Sequence, residues 1–154
     1  MAQLYLDSSA LVKRYVREAG STWLQAFLSA GPGYTVATSR LSIVEVVSAL
    51  NRRVPDGSIP PMDHITLRDD VLALCRREYR IVPVAAALLG RARALLERHP
   101  RRACDALHLA PALAATGRLI VAGQPVLAFL VADGRLLAAA SAEGLPVDHP
   151  EQQP

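Results

Sequence analysis

Leu4-Tyr5-Leu6-Asp7-Ser8-Ser9-Ala10-Leu11 (LYLDSSAL, residues 4–11) carries three apolar residues of strand type straight into a carboxylate, two hydroxyls and the start of a helical run. The strand LYL (4–6) is expected to hand over to a helix from about Ser9 to Arg17. The same strand-to-helix step recurs along the chain. YTVAT (34–38) leads to Ser39, a good helix N-cap, and a helix to Arg53. IVPV (81–84) precedes a helix over 85–98, and VLAFLVA (126–132) precedes a helix over 134–143, with LPV (145–147) as a last short strand. Between these, helices are expected over 21–30, from Asp63 or Thr66 to about Arg80, and over 103–115. Gly31-Pro32-Gly33, Pro55-Asp56-Gly57, Pro60-Pro61 and Pro100 supply the breaks. Strands alternating with helices predict an α/β domain with a parallel sheet covered on both faces. In such sheets sites form at the carboxyl ends of the strands.

Four carboxylates stand at or near that rim. Asp7 closes LYLD, Glu45 interrupts SIVEVVSAL, Asp105 opens DALHLA, and Asp133 ends FLVAD. A carboxylate in an apolar setting is disfavoured unless its charge is balanced. Several acids converging on one point are most simply balanced by a hard divalent cation with oxygen ligands. Each acid also has a plain structural explanation. Asp7 or its serines can cap a helix, and Ser42-Ile43-Val44-Glu45 fits a capping box, although Ser39 is the better cap. Asp105 suits a helix N-terminus, and Asp133-Gly134 is turn-like. His108, one turn after Asp105, reads as a packed helix histidine sooner than as a ligand. The other histidines, His64, His99 and His149, form no zinc spacing.

Composition narrows the classes. The 154 residues are 51% hydrophobic and 20% charged, which excludes a disordered chain and suits one domain, residues 1–148, with a frayed tail at 149–154. No apolar stretch has the length needed to span a bilayer, and no signal peptide is read at the N-terminus. Cys75 and Cys104 have no metal-like spacing, so a cytoplasmic protein with reduced thiols is expected. Net charge is +3, and Lys13 is the only lysine among 17 basic residues. Arginine recurs as Arg52-Arg53, Arg76-Arg77-Arg80, Arg91-Arg93 and Arg98-Arg101-Arg102. Its planar fork suits phosphate, and the sum favours a polyanionic partner.

Together LYLDSSALVKRY, TSRLSIVEVVSALNRR, RRACDALHLA and FLVADGRLLAAASAEGL resemble, in order, the four motifs of the PIN-domain nucleases, and within them the VapC-type toxins of prokaryotic toxin–antitoxin modules. The resemblance covers nearly the whole chain. It implies a PIN-like fold with a five-stranded parallel sheet, and an acidic site of Asp7, Glu45, Asp105 and Asp133 with Ser9 as supporting hydroxyl. It implies magnesium or manganese as cofactor, metal-assisted hydrolysis of RNA leaving a 5′-phosphate, a cognate antitoxin, and a homodimer. The chain departs from the pattern at Gly134, where a basic residue is common, and at Pro111, where alanine is usual and where a kink is expected. Residues 117–125 are longer and more apolar than the pattern. The first two helices carry Leu11, Val12, Tyr15, Val16, Trp23, Leu24 and Phe27, more apolar residues than one core stripe needs, so a partner is expected there. Two alternatives stay open: a catalytically silent PIN-like binding protein, and a receiver-like phosphoacceptor domain, for which a late lysine is missing.

Overall fold

A computed structural model describes residues 2–30, 33–99 and 102–153 of the chain. The breaks read at Gly31-Pro32 and Pro100, and Arg101, lie outside the described residues. Strands β1 (Ala2–Leu6), β2 (Tyr34–Ser39), β3 (Tyr79–Val82), β4 (Ala128–Leu130) and β5 (Val147–Asp148) form one sheet in the order β3-β2-β1-β4-β5. Every pairing is parallel. The α/β, five-stranded expectation holds, with β1 at the centre.

Seven α-helices are found among the described residues: α1 (Ser8–Leu11), α2 (Ser21–Ser29), α3 (Arg40–Arg53), α4 (Pro61–Arg77), α5 (Ala86–Arg98), α6 (Ala103–Val121) and α7 (Gly134–Ala142). Side chains alternate across the sheet, so each strand feeds two cores. Tyr5 and Phe129 face α5, α6 and α7, with Leu95, Leu109 and Leu136 beneath them. Their rings meet edge to face, 5.4 Å between centroids. Leu4, Leu6 and Val36 face the other way, onto Leu11 of α1, Leu24 of α2, Val46 and Leu50 of α3, and Val71 of α4. Because β1 is buried on both sides, the residue that follows it begins its path in the interior. No helix among the described residues is long and apolar enough to cross a membrane.

Several boundaries differ from the sequence expectation, each for a local reason. The helix expected over 9–17 is only one turn; it tightens into a 3-10 turn at Val12–Arg14, and the chain then reverses. Ser21 fixes that reversal: its hydroxyl donates to the Val16 carbonyl and accepts from the Glu18 amide. The fourth helix starts at Pro61, whose fixed φ suits a first helical position, with Asp63 in its first turn. β3 occupies 79–82 because Pro83 has no amide to extend the ladder. The sixth helix runs past 115 to Val121, where Gly123 at φ 64° ends it. Pro111 is buried inside that helix without interrupting it. β4 is confined to 128–130, since Ala132 gives its amide to the Ser9 hydroxyl. β5 begins at Val147, beyond Pro146.

The tail expected to fray is instead docked. Pro150–Gln152 form a 3-10 turn with Pro150 buried, seated on Gly20 at the start of α2. Gly20 is left-handed (φ 77°), and a Cβ there would lie 2.7 Å from the Pro150 carbonyl carbon and oxygen. The apolar surplus of the first helices is likewise covered from within. Leu11, Val12, Val16 and Leu24 are core, and Trp23, Phe27 and Tyr34 stack in series. Tyr34 at the end of that series is exposed, and the other exposed large apolar residues lie elsewhere, including Val44, Met62 and Ile65 on α3 and α4.

Gly20→Ala is expected to cost about 1–2 kcal/mol for the left-handed backbone, lowering the melting temperature by roughly 2–8 °C at this chain length. A thermal melt followed by circular dichroism measures it; an unchanged melting temperature would mean that the turn does not rest on Gly20 in solution.

Candidate active site

Asp7 leaves β1 at its carboxyl end and is 3% exposed. It caps α1: Oδ1 accepts from the Ala10 amide at 3.0 Å and from the Ser9 hydroxyl at 2.8 Å. The Ser9 oxygen also accepts from the Ala132 amide at 2.8 Å. The backbone amide of Asp7 donates to the Leu130 carbonyl at 3.2 Å. Thr38 braces the same rim by donating its hydroxyl to the Leu6 carbonyl at 2.7 Å. Cap and site are thus one arrangement, and the two readings of Asp7 do not compete. Burial pushes the Asp7 carboxyl above the ordinary carboxylate range, and His108 with the bonds from Ser9 and Ala10 offsets this only in part.

Glu45 lies in the second turn of α3, which Ser39 caps by accepting from the Leu41 amide. The capping-box alternative for Glu45 therefore falls away, and its side chain is free to turn toward α6. There Oε2 lies 2.6 Å from Nε2 of His108. Burial raises the Glu45 carboxyl, yet the bonds from His108 and Ser8 outweigh it and hold the group below its ordinary value. Burial pulls His108 down, while Glu45, Asp7 and Asp105 outweigh it and raise the imidazole above its ordinary value. With Glu45 ionised, Nε2 of His108 is the donor to its carboxylate. His108 is buried, and its Nδ1 has no partner among the described residues. His108 is packed within its helix face, as expected, and the bond to Glu45 is the part not foreseen. Its place one turn after Asp105, on the buried side of an apolar helix, was the only available signal.

Ser8, Ser9, Glu45 and Asp133 line one cleft of about 620 Å³, with Lys13, Arg52, Arg53 and Arg102 on its walls. Asp133 caps α7 through Oδ1, accepting from the Arg135 amide at 2.8 Å and the Leu136 amide at 3.2 Å. Its turn-like reading is therefore sound, although its place on the cleft is not thereby lost. Asp105 borders a smaller hollow with Leu95, His99 and Ala139, apart from the cleft that Glu45 and Asp133 line. Of the arginine clusters, Arg52, Arg53 and Arg102 reach the cleft, while Arg98 is taken up by Glu143.

Among the described residues, no three His, Cys, Asp or Glu side chains converge on a single point suited to a metal ion. The donors are nevertheless of the right kind for a hard cation. Magnesium commonly takes one or two carboxylates and keeps water in its other positions, so it needs no closed cage. The Asp7 carboxylate is buried and incompletely compensated, which is the chemical condition a cation relieves.

A family model for the PIN domain matches residues 4–124. No curated protein matches the chain by sequence. Solved structures share its fold. VapC20 of Mycobacterium tuberculosis, a toxin that cleaves the sarcin–ricin loop, is 21% identical with a TM-score of 0.65, covering 98% of this chain and 99% of its own. A toxin–antitoxin complex from Klebsiella pneumoniae is 17% identical, TM-score 0.60, with 96% and 97% covered. VapBC2 from Rickettsia felis, bound to DNA from its promoter, is 14% identical, TM-score 0.60, with 96% and 98% covered.

Asp7→Asn is expected to raise the melting temperature by a few degrees at pH 7 in metal-free buffer. The folded carboxyl titrates above its unfolded value, so the wild type loses stability as pH rises between the two. Below the ordinary carboxylate range both states are protonated, and the advantage of the variant should vanish. Melts of both proteins from pH 3 to pH 8 test this; equal melting temperatures at pH 7 would show Asp7 to be fully compensated without metal.

Proposed function

The chain belongs to the PIN domain family, and on that footing we propose that it is a metal-dependent endoribonuclease acting in the cytoplasm as the toxin of a prokaryotic toxin–antitoxin pair. The observation that carries this reading is the Asp7 carboxylate, buried at the carboxyl end of the central strand and hydrogen-bonded by Ser9, which lines an arginine-walled cleft together with Glu45. Asp7, Asp105 and Glu45 would supply the carboxylate charge for magnesium or manganese, with no more than two of them as direct ligands and Asp133 as an outer member of the set. When bound, the ion supplies a polarised water as nucleophile and neutralises charge at the scissile phosphate.

The chain's own groups do the rest. Ser9 fixes the Asp7 carboxylate while anchoring Ala132. His108 holds Glu45 in one orientation and keeps it ionised. Arg52, Arg53 and Arg102 suit successive backbone phosphates, because a guanidinium donates two parallel hydrogen bonds to one phosphate. Such contacts grip RNA without reading its sequence, so selectivity would come from RNA shape. The histidine beside the cleft is committed to Glu45, which gives the ribose 2′-hydroxyl no free imidazole pair to work with.

The partners in this reading are an RNA substrate, an antitoxin protein and a second copy of the chain. Exposed apolar residues on α3 and α4, rather than the first two helices, are the surface a protein partner would cover.

Purified protein is expected to cleave RNA with magnesium or manganese and to stop in excess EDTA; undiminished cleavage in EDTA would remove the metal from the mechanism. Asp7→Asn and Asp105→Asn should each lower the cleavage rate by orders of magnitude with circular dichroism unchanged. Asp133→Asn should cost less, about 10–100-fold, as for a carboxylate that acts on the ion through water. Magnesium titrations of activity rank the three, and an Asp133 variant as inactive as Asp7→Asn would make Asp133 a direct ligand. A wild type that binds antitoxin but cleaves no RNA under any metal condition would leave a silent binding protein.

A further inference from the structure

Lys13 is charged, 3% exposed and has nothing to do in the chemistry described so far. Its ammonium lies 2.9 Å from Glu18 Oε1 and 2.6 Å from Glu151 Oε1, on the wall of the same cleft as Ser9, Glu45 and Asp133. The two carboxylates are not equivalent. Glu18 is 25% exposed, also pairs with Arg53, and belongs to the chain reversal that Ser21 fixes. Glu151 is 39% exposed, has Lys13 as its only ion-pair partner among the described residues, and rides on the C-terminal 3-10 turn. That turn is held at backbone level by Pro150 on Gly20.

We propose that Lys13 is a phosphate-binding residue of the cleft, and that Glu151 is its resident anion, displaced when the RNA backbone enters; this rests on the nuclease reading above. The charges support an exchange. Lys13, Arg53, Glu18 and Glu151 sum to zero, and a backbone phosphodiester carries the same single negative charge as Glu151. A buried ammonium left without an anion is strongly unfavourable, so Glu151 leaves when another anion arrives. The C-terminal turn therefore competes with substrate for Lys13 and sets a threshold for occupancy of the cleft. Lys13 touches the phosphate backbone in this scheme and takes no part in bond cleavage.

The test is equilibrium binding of a fluorescein-labelled single-stranded RNA of mixed sequence, in EDTA so that the ligand stays intact. Glu151→Gln should bind about two- to fivefold more tightly than wild type, the range of a half-exposed ion pair. Glu97→Gln makes the same change in net charge on α5 and should give no gain. In a Lys13→Gln background the gain from Glu151→Gln should disappear. The Glu151 and Glu97 variants alone decide the matter if Lys13→Gln does not fold. Equal or weaker binding by Glu151→Gln, an equal gain from Glu97→Gln, or a gain that survives in a folded Lys13→Gln protein would overturn the inference and leave the nuclease reading standing. Absence of RNA binding by all of these proteins would overturn both.

Discussion

One hydroxyl joins the two strands on which the cleft depends. Ser9 donates to the Asp7 carboxylate and accepts from the Ala132 amide, so the carboxyl ends of β1 and β4 are tied through a single oxygen. The tie explains why β4 is short, why α1 starts where it does, and why Asp7 stays buried despite its charge. A carboxylate with one backbone and one hydroxyl donor is well oriented but under-compensated. The fold holds Asp7 in place by geometry and leaves its charge open to a cation.

Around that open charge, the other ionic groups are arranged in closed sets. His108 is lent to Glu45, and Lys13 with Arg53 is lent to Glu18 and Glu151. Buried or half-buried cations with carboxylate partners are tolerated because desolvation is met by a short contact. The contrast matters more than either set alone. Asp7 has no ion-pair partner among the described residues, whereas Lys13 and Arg53 share two carboxylates.

The sheet was legible because its signal is simple: short apolar runs, three of them followed directly by a helix cap at Asp7, Ser39 and Asp133. Ser39 could be identified as the cap of α3 from its position alone, and this correctly moved Glu45 into the second turn. Strand ends were misjudged where a long-range bond decides them, as at Ala132, whose amide goes to a residue 123 positions earlier. The docked tail was missed for a related reason. Acidic and proline residues read as solvated, and nothing local shows that Pro150 will meet a left-handed Gly20. The four acids stand out in the sequence as carboxylates at strand ends or in apolar segments, but the pairings that set their character do not. His108 bonds Glu45 across 63 positions, not the nearby Asp105, and no spacing rule reports a contact between two helices.

The strand order also has a consequence in time. β1 precedes the other four strands in sequence, yet it lies at the middle of the sheet, with β2 on one side and β4 on the other. Its β2 edge can be filled once residue 39 has emerged, but its β4 edge stays unpaired until residue 128 arrives. Late, sequence-distant pairing of this kind is slow and leaves an exposed edge meanwhile. Ser9 cannot receive its Ala132 bond any sooner. The nascent chain therefore carries Asp7 without the frame that orients it until residue 132, 123 positions after Ser9, has been made.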